Sequence, residues 1–251
     1  MVAPRASRSR LSPVFLGRVA LWVAGGLLAW FEIGNASLAV LLFVVAGWIV
    51  SLSLHEFSHA LFAYRSGDRS IAGRGYLTLN PLKYTHPVLS IVLPVVFLLL
   101  GGIGLPGGAV WVNHHAIRGR LRTSLVSLVG PGANLAFLVV LMVVLAFRSP
   151  AHPTFWAALA LLAFLQLTAA VLNLLPVPGL DGGNALRPWL RGDGAKIFDT
   201  IAPFGLIILF GVLFIPELNA IFWGVIDWLT DLVGVPAGLV NQGLRLLQFW
   251  R

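Results

Sequence analysis

The chain alternates between long apolar runs and short polar turns. The runs cover about residues 14–32, 36–64, 87–106, 121–147, 154–175, 200–215 and 219–236. A helix needs about 20 apolar residues to cross the hydrocarbon core, and most of these runs approach that length. We therefore predict an all-α polytopic membrane protein with about six transmembrane helices. No repeat or low-complexity linker divides the sequence, so we expect one integral-membrane domain over residues 1–251, with additional C-terminal helices in 200–251.

The basic residues predict how the helices are oriented. Lysine and arginine collect in the short loops on the cytoplasmic side of membrane proteins. Here they cluster in the tail before residue 14 and in the loops at 65–83, 118–122 and 187–196. We therefore expect a multi-pass protein with a cytoplasmic N-terminus. The C-terminal stretch at 239–250 is amphipathic enough to lie on the membrane surface.

The run at 87–106 does not fit a simple membrane crossing. Basic loops flank it on both sides, and one span cannot have two cytoplasmic ends. It also contains Pro94, Pro106 and several glycines, which are poor residues for an unbroken helix. We predict a re-entrant or surface-lying hairpin, which is tolerated where protein or water surrounds the backbone. A full span is the alternative, and it would invert the topology of everything downstream.

Composition narrows the chemistry that is available. Apolar residues make up 58% of the chain and charged residues 10%, with a mean hydropathy of +0.90, as expected for a membrane protein. The net charge of +8 would suit nucleic acid, but basic cytoplasmic loops explain it more simply, so we expect no nucleic-acid partner. The sequence has no cysteine, which excludes disulfides and thiolate metal sites. A metal would have to be bound by histidine and carboxylate.

One apolar run carries an HExxH pattern near its end, His55-Glu56-Phe57-Ser58-His59. On a helix the two histidines face the same side and can bind one zinc ion, with the glutamate close to a water at the metal. The alternative is a pair of polar groups that are satisfied by neighbouring helices. Because ionisable residues are costly inside an apolar helix, we favour the metal site.

Zinc would need a third protein ligand, because catalytic sites keep the fourth position for water. Asp181 is the best candidate, since it follows two prolines after the end of a predicted span and precedes two glycines. The topology predicted from the basic loops places it at the same depth as the histidines. An ordinary turn aspartate is the alternative, but polar residues are scarce in this chain, which favours a ligand.

Three short motifs occur in combination. They are HEFSH at 55–59, GPGAN at 130–134, and the segment Asn173…Pro176…Asp181-Gly182. Together they resemble the site-2 protease family of intramembrane zinc metalloproteases, over a catalytic core of about residues 36–190. The resemblance implies that one zinc ion is bound by His55, His59 and Asp181. It also implies that Glu56 is the general base, and that Asn134 and Asn173 steady the substrate strand or the developing oxyanion.

The resemblance further implies an endopeptidase of the kind that acts in regulated intramembrane proteolysis. It would cut a transmembrane or membrane-proximal segment of a membrane protein near the cytoplasmic face. Glu56 would assist the attack of a zinc-bound water on the peptide bond. The expected partners are a substrate with a transmembrane helix and the lipid bilayer. We expect the compact bacterial type, since no PDZ or regulatory domain fits within 251 residues. The resemblance to this type implies that the protein lies in the bacterial cytoplasmic membrane.

Two other functions stay open. A proteolytically inactive relative would bind membrane proteins without cutting them, but loss of the base is the simplest route to inactivity, and Glu56 is present. A membrane zinc transporter would carry further histidines and carboxylates along a path. The outer halves of the predicted helices lack such residues.

Overall fold

The computed structural model describes residues 12–80 and 110–249, and within these ranges the chain is helical without a strand. The helices are α1 (Pro13–Trp30), α2 (Ala36–Ser66), α3 (Ser70–Gly73), α4 (Arg120–Leu145), α5 (Pro153–Leu174), α6 (Asp181–Leu186), α7 (Gly192–Ile201), α8 (Gly205–Phe214), α9 (Pro216–Val233) and α10 (Ala237–Leu247). Short 3₁₀ turns lie at Tyr76–Thr78, His114–Ala116, Arg187–Trp189 and Ala202–Phe204. The all-α prediction is confirmed, whereas the predicted hairpin at 87–106 lies outside the described residues.

Within the described ranges, five helical segments are long and apolar enough to cross a membrane. They are α1, α2, α4, α5 and the segment Gly192–Gly211, which contains α7 and most of α8. Helices α9 and α10 would add a sixth if they are counted as one broken span, and they meet at a bend of 118°. This agrees with the prediction of about six transmembrane helices.

Helix α5 is the centre of the bundle. It is mostly apolar, and 83% of its membrane-length window is buried, compared with 33% for α4. Helices α2, α4 and α10 pack around it. Lipid is as apolar as a helix surface, so helix association in a membrane depends on close contact through small residues. At Gly243 of α10 a Cβ atom would lie only 2.6 Å from the carbonyl oxygen of Ala157, so α10 crosses α5 at very short range.

The same contact accounts for the amphipathic pattern near the C-terminus. Val240 and Leu247 are buried together with Gly243, and the core that they join contains residues of α5. We expected residues 239–250 to lie on the membrane surface because of their amphipathicity. The structure instead covers much of the apolar side of α10 with protein.

The start of α1 lies at the same end of the bundle as the HExxH motif. The backbone N–H of Ser12 donates to the carbonyl of Thr78, and Phe15 packs in one cluster with Val50 and Leu79. Farther along, Gly25 of α1 allows close packing on α2, because a Cβ atom there would lie 2.6 Å from a backbone nitrogen of α2. The N-terminal helix therefore runs along α2, beginning beside its second half.

Candidate metal centre

Helix α2 brings His55 and His59 together on one side, as the four-residue spacing requires. Their Nε2 atoms are 3.0 Å apart, and their rings meet edge to face with centroids 4.7 Å apart. Both side chains are buried, with 6% and 7% of their surface exposed. The two imidazoles therefore present a pair of nitrogen atoms to the interior of the bundle.

Helix α4 approaches this pair of nitrogens at Gly130. A Cβ atom at this position would lie 2.1 Å from His59 Nε2 and 2.7 Å from His55 Nε2, where no side chain fits. Gly132, two residues later in the same motif, would place a Cβ atom with nothing within 4 Å. Gly130 thus keeps open the space beside the histidine nitrogens, whereas Gly132 has no such role.

The connection between α5 and α6 carries Asp181 to the same place. Helix α5 ends at Leu174, and the rings of Pro176 and Pro178 prevent it from continuing. Gly179 then adopts a φ of +93°, a conformation that other residues rarely accept. Helix α6 begins at Asp181 itself. The prolines and the glycine therefore turn the chain back so that the first residue of α6 faces α2.

Hydrogen bonds hold α6 against α4. The Ser124 hydroxyl donates to the carbonyl of Ala185 over 2.6 Å, and the Trp189 indole donates to the Ser124 oxygen over 2.9 Å. The first turn of α6 also lies tightly on the end of α5, since a Cβ atom at Gly182 would be 2.2 Å from the carbonyl oxygen of Leu174. These contacts fix the position of the carboxylate that begins the helix.

The structure brings the three residues that the sequence predicts as zinc ligands into one cluster. Asp181 Oδ2 lies 3.2 Å from His55 Nε2 and 3.4 Å from His59 Nε2. Within residues 12–80 and 110–249, these three residues form the group of histidines and carboxylates that could hold a metal ion. Their common depth was expected from the loop charges alone.

The hydrogen bonds of the two Nδ1 atoms indicate that the Nε2 atoms, which face each other, carry free lone pairs. His55 Nδ1 lies 2.6 Å from Asn134 Oδ1, and His59 Nδ1 lies 2.6 Å from the carbonyl oxygen of Val126. Because both partners are acceptors, each Nδ1 carries the proton and each Nε2 is free to ligate, as in other histidine metal sites. Asp181 Oδ2 is buried without a hydrogen-bond partner. Three electron-pair donors thus converge, an arrangement that a cation stabilises.

The spacing of these atoms fits zinc. A tetrahedral zinc ion with bonds of about 2.1 Å holds its ligand atoms about 3.4 Å apart. The three separations in the cluster are 3.0, 3.2 and 3.4 Å. Two imidazole nitrogens and one carboxylate oxygen are a ligand set that zinc takes in catalytic sites, where the fourth position is left for water.

Glu56 is buried beside its two histidine neighbours in sequence, with 3% of its surface exposed. Its Oε2 accepts the backbone N–H of Val110 over 3.1 Å. Three residues later, the N–H of Asn113 donates to Asp68 Oδ2 over 2.7 Å. Asp68 is almost fully buried and also accepts two hydrogen bonds from Ser70, through Oδ1. The segment 110–113 is thus fixed at both ends to carboxylates on or just after α2.

Asn134 of α4 lies directly behind the zinc ligand His55. Its Oδ1 faces His55 Nδ1, and its amide nitrogen donates to Ser51 Oγ over 3.1 Å and to Gln166 Oε1 over 2.9 Å. The side chain is buried, with 5% of its surface exposed. All of these hydrogen bonds are to other side chains of the protein. The predicted role of Asn134 toward a substrate or an oxyanion stays a prediction.

Asn173 lies in the last turn of α5 and is also buried. Its amide nitrogen donates to the carbonyl of Ala169, one turn earlier in the same helix, over 3.1 Å. This bond fixes the side chain to its own helix and does not link it to the three ligands. The predicted contact of Asn173 with a substrate strand stays a prediction.

Sequence reasoning assigned no role to several residues that this site uses. A signal existed for Ser51 and Gln166, because hydrogen-bonding side chains within apolar spans usually have a specific partner. Asp68 follows a glycine at the end of α2 and resembles an ordinary turn residue in the sequence. Val110 acts through its backbone N–H, for which the side chain gives no signal.

Comparison with known proteins identifies close relatives. The chain is 46% identical, over 99% of its length and 98% of the relative's, to a Mycolicibacterium smegmatis protein named "Putative zinc metalloprotease Rip2". It is 49% identical to the Mycobacterium tuberculosis H37Rv protein of the same name, over 96% of this chain and 95% of the relative. YwhC of Bacillus subtilis, with the same description, is 33% identical over 76% of this chain and 88% of the relative. No family model and no solved structure matches the chain.

Proposed function

Because this chain belongs to the site-2 protease family and is a zinc metalloprotease like its relatives, we propose that it is an intramembrane endopeptidase. It cleaves a transmembrane or membrane-proximal segment of a membrane protein near the cytoplasmic face. The observation that carries this proposal is the cluster of His55, His59 and Asp181, with ligand atoms 3.0–3.4 Å apart inside a bundle of membrane-length helices. The cluster has the donor set and spacing of a catalytic zinc site for one ion.

We assign the proton transfers to Glu56. His55, His59 and Asp181 would hold a zinc ion, which would act as a Lewis acid that lowers the pKa of a bound water and polarises the scissile carbonyl. Glu56 takes a proton from the attacking water and passes it to the leaving nitrogen. Since Oε2 of Glu56 accepts the N–H of Val110, we assign proton transfer to its other oxygen, Oε1. The Val110 contact orients the carboxylate for this task.

The surroundings of the site support a role for the asparagines in positioning. A substrate helix has to unwind before cleavage, because helical carbonyls are hydrogen-bonded within the helix. We propose that Asn173, at the end of α5 near the loop that carries Asp181, contacts the unwound segment. Asn134 is engaged with three residues of the protein, and we assign it to the support of His55.

We further propose a multi-pass protein of the bacterial cytoplasmic membrane with its N-terminus in the cytoplasm. The basic tail and basic loops support this orientation. The beginning of α1 lies beside the turn at Tyr76–Thr78, just beyond the end of α2 that carries HExxH. With the N-terminus inside, the metal cluster then lies toward the cytoplasmic face, and cleavage is expected there.

The test compares the purified wild-type protein with Glu56→Gln in vesicles that contain a panel of single-span membrane proteins. Zinc-dependent cleavage that is lost in Glu56→Gln supports the proposal, because glutamine keeps the size of the side chain but cannot accept the proton. Zinc binding by the wild type without cleavage of any substrate favours an inactive binding protein. Zinc flux into the same vesicles without cleavage favours a transporter.

A further inference from the structure

A buried polar network joins α2, α4 and α5 behind His55. Its other members are Ser51, Asn134 and Gln166, and none of them has more than 5% of its surface exposed. Polar side chains are costly in an apolar helix bundle and persist where they have a specific partner. The partners here form a chain of hydrogen bonds that ends on a zinc ligand.

The hydrogen bonds have defined directions. Gln166 Oε1 accepts from the Ser51 hydroxyl and, over 2.9 Å, from the amide nitrogen of Asn134. The second amide hydrogen of Asn134 points to Ser51 Oγ over 3.1 Å. With both of its hydrogens directed away from the metal cluster, the Asn134 amide turns its oxygen toward His55 Nδ1. Gln166 sets this order through its side-chain oxygen, which accepts both hydrogen bonds. Its amide nitrogen is buried without a partner.

We propose that Gln166 and Ser51 are positioning residues for zinc binding, because they fix which end of the Asn134 amide faces His55. This inference rests on the proposed function, in which His55 binds zinc through Nε2. If the amide were reversed, its NH₂ group would face Nδ1 and donate to it. The imidazole proton would then lie on Nε2, and zinc could bind there only after that proton had left, which weakens binding.

A comparison with His59 shows why only His55 needs neighbours that fix its hydrogen-bond partner. His59 Nδ1 faces the backbone carbonyl of Val126, which is an acceptor in every orientation and cannot exchange places with a donor. His55 Nδ1 faces a side-chain amide, which can rotate to present either an acceptor or a donor. The tautomer of His55 therefore depends on neighbours that hold the amide in place.

The test uses two variants with a matched control for each. Gln166→Met and Ser51→Ala remove the groups that orient Asn134. Thr168→Val on α5 and Ser53→Ala on α2 remove buried hydroxyls that donate to carbonyls of their own helices, at Leu165 and Ile49. Zinc affinity is measured by competition with a chelator. We expect both network variants to bind zinc about 10- to 100-fold more weakly than the wild type, the usual effect of losing a group that orients a metal ligand. The controls should match the wild type.

A second readout reports the tautomer itself. Nitrogen-15 histidine NMR of the zinc-free protein distinguishes a protonated from an unprotonated Nε2, and the signal of His55 is assigned by its loss in His55→Ala. We expect an unprotonated Nε2 in the wild type and a protonated Nε2 in a measurable fraction of Gln166→Met. Gln166→Glu keeps the acceptor oxygen and the size of the side chain, and it replaces only the unpartnered NH₂ group with an oxygen, so it should recover most of the zinc affinity.

The outcomes separate this inference from the proposed function. A wild type that binds no zinc contradicts the proposed function. A wild type that binds zinc, together with folded Gln166→Met and Ser51→Ala that bind it equally tightly, overturns the positioning role. Equal losses in network variants and controls also overturn it. Folding is checked by thermal unfolding followed by circular dichroism, and if Gln166→Met does not fold, the comparison of Ser51→Ala with Ser53→Ala decides.

Discussion

Replacing Gly130 by alanine is expected to destroy the metal centre while leaving the helix intact. The added Cβ atom would lie 2.1 Å from His59 Nε2, more than 1 Å closer than ordinary van der Waals contact. The nearest atoms at this position include both histidine nitrogens, so the collision falls on the zinc ligands. One or both imidazoles must move by a distance well beyond the tolerance of about 0.2 Å in metal–ligand bonds.

The expected magnitude follows from this displacement. Losing a group that only orients a ligand costs about 10- to 100-fold in metal affinity, and displacing a ligand itself costs at least as much. We therefore expect zinc affinity to fall by about 100-fold or more in Gly130→Ala, with loss of proteolysis. The assay is chelator competition for zinc on purified protein, together with cleavage of a reconstituted substrate.

Gly132→Ala is the matched control. It lies in the same helix, two residues away, and its Cβ atom would meet nothing within 4 Å. Both substitutions raise helix propensity by up to about 1 kcal/mol, so a simple effect on α4 would act in the same direction in each. If Gly130→Ala binds zinc as tightly as Gly132→Ala and the wild type, the geometry described for the metal centre is refuted.

Three further predictions test other parts of the site. Asp181→Asn should weaken zinc binding strongly, because the amide oxygen is a neutral ligand, and an unchanged zinc affinity in a chelator competition would exclude Asp181 as a ligand. Asp68→Asn should lower kcat but not zinc affinity, because it loosens the segment that directs the Val110 N–H onto Glu56. A parallel loss of zinc affinity would show that Asp68 acts on the metal centre instead. Zinc removal by a chelator should lower the thermal unfolding temperature of the wild type, because a ligand that binds the native state stabilises it, and should leave that of Gly130→Ala unchanged.

Much of the architecture follows from the apolar runs. Helices α1, α2, α4 and α5 begin and end within a few residues of the predicted runs, because hydrophobic length is the dominant constraint on a membrane span. The C-terminal region was harder to predict. Its shorter segments include α10, whose amphipathic pattern fits both a membrane surface and a protein contact, and only the close approach of Gly243 to α5 distinguishes them.

The metal cluster was partly predictable for a similar reason. The HExxH spacing determines the relation of His55 to His59, and the basic loops bring Asp181 to the same depth. The roles of Gly130 and of the Asn134 amide depend on how α4 packs against α2, which has no local signature. The Val110 contact to Glu56 uses a backbone group, and backbone groups are identical at almost every residue.

The central claim is that Glu56 performs chemistry at a zinc ion that other residues hold. It is tested most directly by measuring bound zinc and substrate cleavage on the same preparations of wild type and Glu56→Gln. We predict equal zinc content in both proteins, close to one ion per chain, with cleavage of a single-span substrate by the wild type alone. Cleavage by zinc-loaded Glu56→Gln at the wild-type rate would contradict the account.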